Sequence, residues 1–320
     1  MLRTLLLEIA VVVSVACVIG AVTIVGRARL RTCYTELGTR LREAGPYLVA
    51  LGVLLAINSA LRDSTEEFSL FVGWNITGWI ETIEGDFVVF VQSFQTELLT
   101  TYFSYIYVHG YVFLLGFPLV AYVALENQRR FRELVVAYGL NYMLGTVLYV
   151  AFIAFGPRNV GLVDGLLYTT FPQFQFLTSE INNPTNVFPS LHTSLSVTAA
   201  IFAYKTREVY PAWLPLAVVL AVSVVISTMY LGIHWAIDVV AGIALAAVCV
   251  SVAERGVDAQ NRWVAAAPEG TSAVLEFPYV GTRVETLSAA IGATRWTTRF
   301  ERDADAETET ETEPGEVGSD

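Results

Sequence analysis

The sequence predicts an all-α integral membrane protein: a bundle of six transmembrane helices preceded by one further membrane helix. Three observations predict it. Apolar residues make up 54% of the 320 residues, with a mean hydropathy of +0.55. Charged residues are only 15%, against about 25% in soluble domains. Finally, seven apolar stretches recur, most of them near the roughly 20 residues that cross a hydrocarbon core as helix.

The expected spans are 4–25, 47–61, 101–124, 134–155, 188–204, 211–232 and 236–253, the second and fifth being short. The first has a long apolar run, no small-residue cleavage pattern and arginines directly after it, so it reads as a retained anchor rather than a cleaved signal. Basic residues then alternate from loop to loop. Arg27, Arg29, Arg31, Arg40 and Arg42 follow the first span, Arg129, Arg130 and Arg132 the third, Lys205 and Arg207 the fifth, Arg255 and Arg262 the seventh. The opposite loops carry only Arg62 and Arg158. The positive-inside rule predicts an outer N-terminus, a cytoplasmic C-terminus and three outer loops at 62–100, 156–187 and 233–235.

Four segments follow: residues 1–46, an anchor with a basic cytoplasmic loop; 47–253, the six-helix domain; 254–300, a cytoplasmic appendage; and 301–320, an acidic tail. The tail holds nine acidic residues and one Arg, a composition that predicts disorder. The net charge of −11 and the single lysine, Lys205, fit either a high-salt cytoplasm or a GC-rich genome with a solvated tail. No basic patch survives outside short loops, which excludes nucleic acid as a partner. Cys17, Cys33 and Cys249 have no disulfide or zinc spacing. Residues 62–100 mix Trp74, Trp79, Phe87, Phe90 and Phe94 with acidic residues, as an interfacial amphipathic helix does, and contain the sequon Asn75-Ile76-Thr77.

Three polar clusters fall at span ends, all on the expected outer face. Gly156-Pro157-Arg158 ends the fourth span, and a guanidinium there grips phosphate or snorkels to headgroups. Pro189-Ser190-Leu191-His192 opens the fifth span. Its free N–H groups and dipole form an anion site with the Ser190 hydroxyl and His192, or simply a capped helix start. His234 and Asp238 lie four apart, on one helical face, where a carboxylate fixes an imidazole's tautomer. Ionisable groups at a membrane boundary point to function. His109, in the outer half of the third span, either reaches this group or is a core histidine bonded to a neighbouring helix.

Pro189-Ser-Leu-His192 followed by Tyr230-Leu-Gly-Ile-His-Trp-x-x-Asp238 resembles the type 2 phosphatidic acid phosphatase superfamily. More narrowly, it is similar to the inositol phosphorylceramide synthase (inositolphosphotransferase) branch, where Pro-Ser-Leu-His replaces Pro-Ser-Gly-His. The resemblance covers about 47–253. It implies a phosphatase-type bundle acting on a lipid-linked phosphate, by hydrolysis or by transfer to an alcohol such as inositol. It also implies His234 as nucleophile forming a phosphohistidine, Asp238 orienting it, His192 as general acid and then base, and Arg158 and Ser190 on the phosphate oxygens. No metal or cofactor enters that scheme, and the implied partners are the lipid phosphate and membrane lipids. Two cations of the broader pattern are missing: no Lys precedes Arg158, and Thr228 follows Ser227 where the pattern has Arg.

Other readings stand beside this one. A transporter or scaffold would be non-catalytic, although transporters place polar groups near the midplane and these cluster at one face. A serine hydrolase built on Ser190 lacks the Gly-x-Ser-x-Gly elbow. Oligomeric state and the purpose of 256–320 are not encoded in any recognisable pattern.

Overall fold

The computed structural model describes residues 2–175 and 184–266. The acidic tail and most of the appendage lie outside the described residues. The elements are α1 (Leu2–Gly20), continued by a π-helical turn at Ala21–Val25, then α2 (Arg27–Thr35), α3 (Leu37–Ala60) and α4 (Arg62–Val72). Next come β1 (Trp74–Asn75), α5 (Thr77–Glu84), α6 (Phe87–Gln92) and α7 (Glu97–Tyr105). A second π-helical turn, Ile106–Gly110, joins α7 to α8 (Tyr111–Val123), followed by α9 (Arg129–Ala151), β2 (Phe152–Ile153) and α10 (Leu166–Thr170). The described residues end in α11 (Leu191–Lys205), α12 (Trp213–Tyr230) and α13 (Ala236–Ala266).

Among the described residues six helical stretches are long and apolar enough to cross a membrane: Leu2–Val25, Leu37–Ala60, Glu97–Val123, Arg129–Ala151, Trp213–Tyr230 and Ala236–Trp263. They match six of the seven expected spans and make this a multi-pass integral membrane protein. The seventh, α11, is a 15-residue helix packed against α9 and α12. Apolar side chains on the rim, such as Leu7, Val11, Val15 and Val18 of α1, are exposed, as a lipid-facing surface requires.

Residues 62–100 differ from expectation. They form α4, α5 and α6 with a strand between, not one interfacial helix. The break is fixed by pairing: β1 lies parallel to β2, with Trp74 opposite Phe152 and Asn75 opposite Ile153. The Thr77 hydroxyl then accepts the Phe155 N–H at 3.0 Å. Backbone groups that leave a helix must find partners, and this segment finds them at the end of α9. The aromatic residues remain exposed, among them Phe71, Trp74, Trp79 and Phe90.

The core is packed from Phe117, Tyr122, Phe131, Phe202, Tyr210 and Trp213, all fully buried. Phenol groups there are satisfied: Tyr122 shares a hydrogen bond with Thr206 at 3.0 Å, and Tyr210 donates to the Ala121 carbonyl at 2.9 Å. Such pairing offsets the cost of taking a hydroxyl out of water.

The loops sort to two ends, as the alternation of basic residues predicts. At one end Glu133, with no exposed surface, accepts from Arg129 at 2.7 Å and Arg130 at 2.6 Å. Arg129 also reaches Asp258 at 2.8 Å, and Glu254 meets Lys205 at 2.7 Å and Arg130 at 3.2 Å. Arg40 donates to the carbonyls of Val123, at 2.9 Å, and of Leu125 in the same region. The opposite end gathers the polar clusters.

Candidate functional site

Short backbone contacts bring the three clusters together. The turn at Arg158 is stitched to the loop before α13: Arg158 N donates to the Gly232 carbonyl at 3.1 Å, and Trp235 Nε1 to the Phe155 carbonyl at 2.8 Å. Glycine is required on both sides of this seam. A Cβ on Gly156 would sit 2.4 Å from the Ile233 carbonyl oxygen. Gly232 has φ +72° and would place a Cβ 2.8 Å from the Asp164 carbonyl oxygen, so both space and backbone conformation exclude larger residues.

His234 comes just before α13 rather than within it. The Thr228 carbonyl accepts from both Ile233 N, at 2.9 Å, and His234 N, at 3.0 Å, folding the loop back on α12. His234 Nδ1 lies 3.5 Å from Asp238 Oδ2. The same carboxylate oxygen accepts the Trp235 N–H at 2.8 Å, half of a capping box in which the third helical residue satisfies the cap's amide. His234 is 4% exposed and Asp238 fully buried. Burial, with the positive charge of Arg158 beside it, pushes His234 down to about 3, a hydrogen bond to the Val187 backbone working the other way. Its ring is therefore neutral at ordinary pH.

The second cluster also differs in detail. Pro189 precedes the helix through a cis Phe188–Pro189 bond instead of occupying its first turn. Ser190 is the N-cap, its Oγ accepting the Thr193 N–H at 3.3 Å. Its own N–H donates to the Asp238 carbonyl at 3.0 Å, tying α11 to α13. Ser190 is fully buried and stands behind the site, two residues before His192. The His192 ring is held between Tyr107 (centroids 4.5 Å, 20°) and Tyr111 (4.4 Å, 37°). Tyr107 belongs to the π-helical turn Ile106–Gly110, a distortion that often marks functional sites. The centroids of His192 and His234 are 6.3 Å apart.

His192, His234 and Arg158 line one cavity of about 370 Å³. Arg158 lies over the Tyr168 ring at 4.7 Å, and its Nη1 is buried without a hydrogen-bond partner. Such a guanidinium is poised for an anion. Asp238 and Ser190 support these residues from behind.

The facing wall was not identified from the sequence. It comes from the end of α3, from α4 and from α9: Asn58, Ser59, Arg62, Thr65 and Thr146, with the Thr146 hydroxyl donating to Asn58 Oδ1 at 2.6 Å. The available signal was Arg62, which with Arg158 is one of two basic residues in the loops at this end; both line the cavity. His109 is buried and does not line it. It stacks on Tyr105 and lies 4.0 Å from Glu8 of α1, but both its ring nitrogens lack a hydrogen bond, so the expected bond to a neighbouring helix is not formed.

A family model described as the PAP2 superfamily matches residues 83–252, just over half of the chain. Over 159 residues the chain is 23% identical to an uncharacterized protein of Methanocaldococcus jannaschii. That match covers 49% of this chain and 62% of the relative, so the chain spans less than two thirds of that protein's length. No solved structure matches.

Proposed function

Because this chain belongs to the PAP2 superfamily of phosphatase-type membrane enzymes, we propose that it transfers the phospho group of a lipid-linked phosphate through a phosphohistidine on His234. The observation that carries this reading is the shared cavity: His234, His192 and Arg158 on one wall, with Asp238 directly behind His234.

In the first step Nε2 of His234 attacks phosphorus, its Nδ1 proton facing the Asp238 carboxylate 3.5 Å away, which orients the ring. The bond from phosphorus to the lipid oxygen breaks, and His192 gives its proton to the departing alkoxide. In the second step water or an alcohol attacks phosphorus. Its proton passes to His192, and the phosphorus–nitrogen bond breaks to restore neutral His234. Two moderate barriers replace one high one. Arg158, rigid over Tyr168, stabilises charge on the phosphate oxygens as it develops. Arg62 supplies a second cation where the chain lacks the lysine and arginine of the wider pattern. We assign Ser190 to the phosphate site through the helix cap it makes, which sets the position of His192.

Transfer to a hydroxylated acceptor such as inositol is favoured over simple hydrolysis by the facing wall. Asn58, Ser59, Thr65 and Thr146 offer amide and hydroxyl groups suited to a polyol, beside apolar lining from Leu55, Val108 and Val112 suited to an acyl chain. The alternation of basic loops supports an outer-face position for this end of the bundle.

The test is phosphate release from a panel of lipid phosphates by the purified protein, with and without vanadate, and with inositol added in parallel. His234→Ala is run alongside. Vanadate-sensitive release or transfer that vanishes in the variant supports the reading. Turnover that survives in His234→Ala rejects it.

A further inference from the structure

Glu84 is the last residue of α5, 150 residues before His234, and belongs to none of the three polar clusters. Its Oε2 nevertheless accepts the Ile237 N–H at 3.1 Å, and the Ala236 backbone also hydrogen-bonds to its carboxylate. These are the first two residues of α13, whose N–H groups have no partner within the helix. With Trp235 N held by Asp238, the opening turn of α13 is closed by two carboxylates, one local and one brought in from α5. Side chains around the contact are packed: Ile80, Val88 and Trp235 form one buried cluster with Ala154 and Val187.

An acidic side chain beside another acidic side chain needs a reason. Burial raises the proton affinity of Glu84, and the nearby Asp238 raises it further, against the two backbone hydrogen bonds that lower it. Glu84 Oε1 and Asp238 Oδ1 are both buried without a hydrogen-bond partner. A cap made by solvent or by a serine would avoid that repulsion. What the glutamate adds is reach: it fixes α13 at the residue beside Asp238, from a separate element. A slip of a few tenths of an ångström there would change the 3.5 Å approach of Asp238 to His234.

We propose that Glu84 is a positioning residue, whose hydrogen bonds to the first turn of α13 set the His234–Asp238 geometry on which phospho transfer depends. The inference rests on the proposed role of His234, and its test is chosen to separate the two. Glu84→Gln keeps an acceptor oxygen and removes the charge; Glu84→Ala removes both. In a phospho-transfer assay on the purified full chain, Glu84→Ala lowers kcat by about ten-fold or more with KM within about three-fold, whereas Glu84→Gln holds kcat within about three-fold. In parallel, ¹⁵N-histidine spectra report geometry without turnover, because the chain has three histidines and His234 is assigned by its own substitution. Glu84→Ala shifts the His234 ring signals and leaves those of His109 in place, and Glu84→Gln restores them. A thermal melt and membrane insertion assay check that both variants fold. If wild-type protein shows no turnover but the His234 signals respond in this way, the phospho-transfer reading fails and the positioning stands. Unchanged His234 signals and unchanged kcat in folded Glu84→Ala would overturn the proposal, as would a loss in Glu84→Gln equal to that in Glu84→Ala.

Discussion

Oδ2 of Asp238 serves two groups at once: it accepts the Trp235 N–H at 2.8 Å and lies 3.5 Å from Nδ1 of His234. The helix cap and the imidazole share the neighbourhood of one oxygen, the cap hydrogen-bonded to it and Nδ1 of His234 without a hydrogen-bond partner. Any change that frees Trp235 N also releases the ring from its orienting charge.

Substituting Asp238→Asn tests this sharing. The amide oxygen still caps Trp235 N, while the charge that would stabilise an imidazolium is gone. We expect the fold to persist and kcat to fall by roughly 10²–10⁴, measured as initial rates of phosphate release or transfer.

Arg158→Lys should not act as a conservative change. Lysine loses the planar stacking on Tyr168 and the forked donors. The expected outcome is a drop of about 10²-fold in kcat/KM, equivalent to about 2.7 kcal/mol, with weaker inhibition by vanadate. Equal kcat/KM in the two proteins would show that the cavity's cation is not the phosphate ligand.

The charge state of His234 sets a pH prediction. Burial and Arg158 lower it to about 3, so the neutral ring persists as pH falls from 8 towards 4. An ordinary histidine near 6.5 would be about 97% protonated at pH 5. Titration of the ¹⁵N signals of His234 should show the neutral form still dominant at pH 5. A midpoint near 6.5 would mean that water reaches the ring freely.

Gly156→Ala tests the seam between the Arg158 turn and the His234 loop. The added methyl meets the Ile233 carbonyl oxygen at 2.4 Å, and overpacking of this kind costs about 1–3 kcal/mol. Lower thermal stability together with loss of turnover is expected, since both sides of the seam carry a site residue.

At the charged end, Glu133→Ala leaves Arg129 and Arg130 without their buried partner. Breaking a buried pair costs about 3–5 kcal/mol, and the partial exposure of both arginines brings the expectation to about 2 kcal/mol. The check is a detergent-solution melt, with kcat unchanged at a temperature where the variant is folded.

Much of this architecture is legible in the sequence, for a physical reason. Hydrocarbon demands long apolar runs, so six spans show directly as composition, and basic loops sort the ends. Arg158, His192, His234 and Asp238 were readable because ionisable residues are rare in such a chain. What escaped was made by tertiary contact. Glu84 meets Ile237 across 153 residues, and no periodicity encodes that meeting. The wall from Asn58 to Thr146 is visible only when α3 and α9 pack together. Pro189 and Ser190 read as an anion-binding first turn or a capped helix start, and the structure has the cap: Ser190 Oγ accepts the Thr193 N–H while its own N–H donates to the Asp238 carbonyl. The π-helical turn that brings Tyr107 against His192 has no residue signature of its own.

The brevity of α11 has a consequence for depth. Its 15 residues rise about 22 Å, some 8 Å less than the roughly 30 Å hydrocarbon layer. Lys205, its last residue, is tied to Glu254 at the charged end, and His192 stands at the other. Such a helix is held in place by its packing against α9 and α12 rather than by a match between its own length and the bilayer.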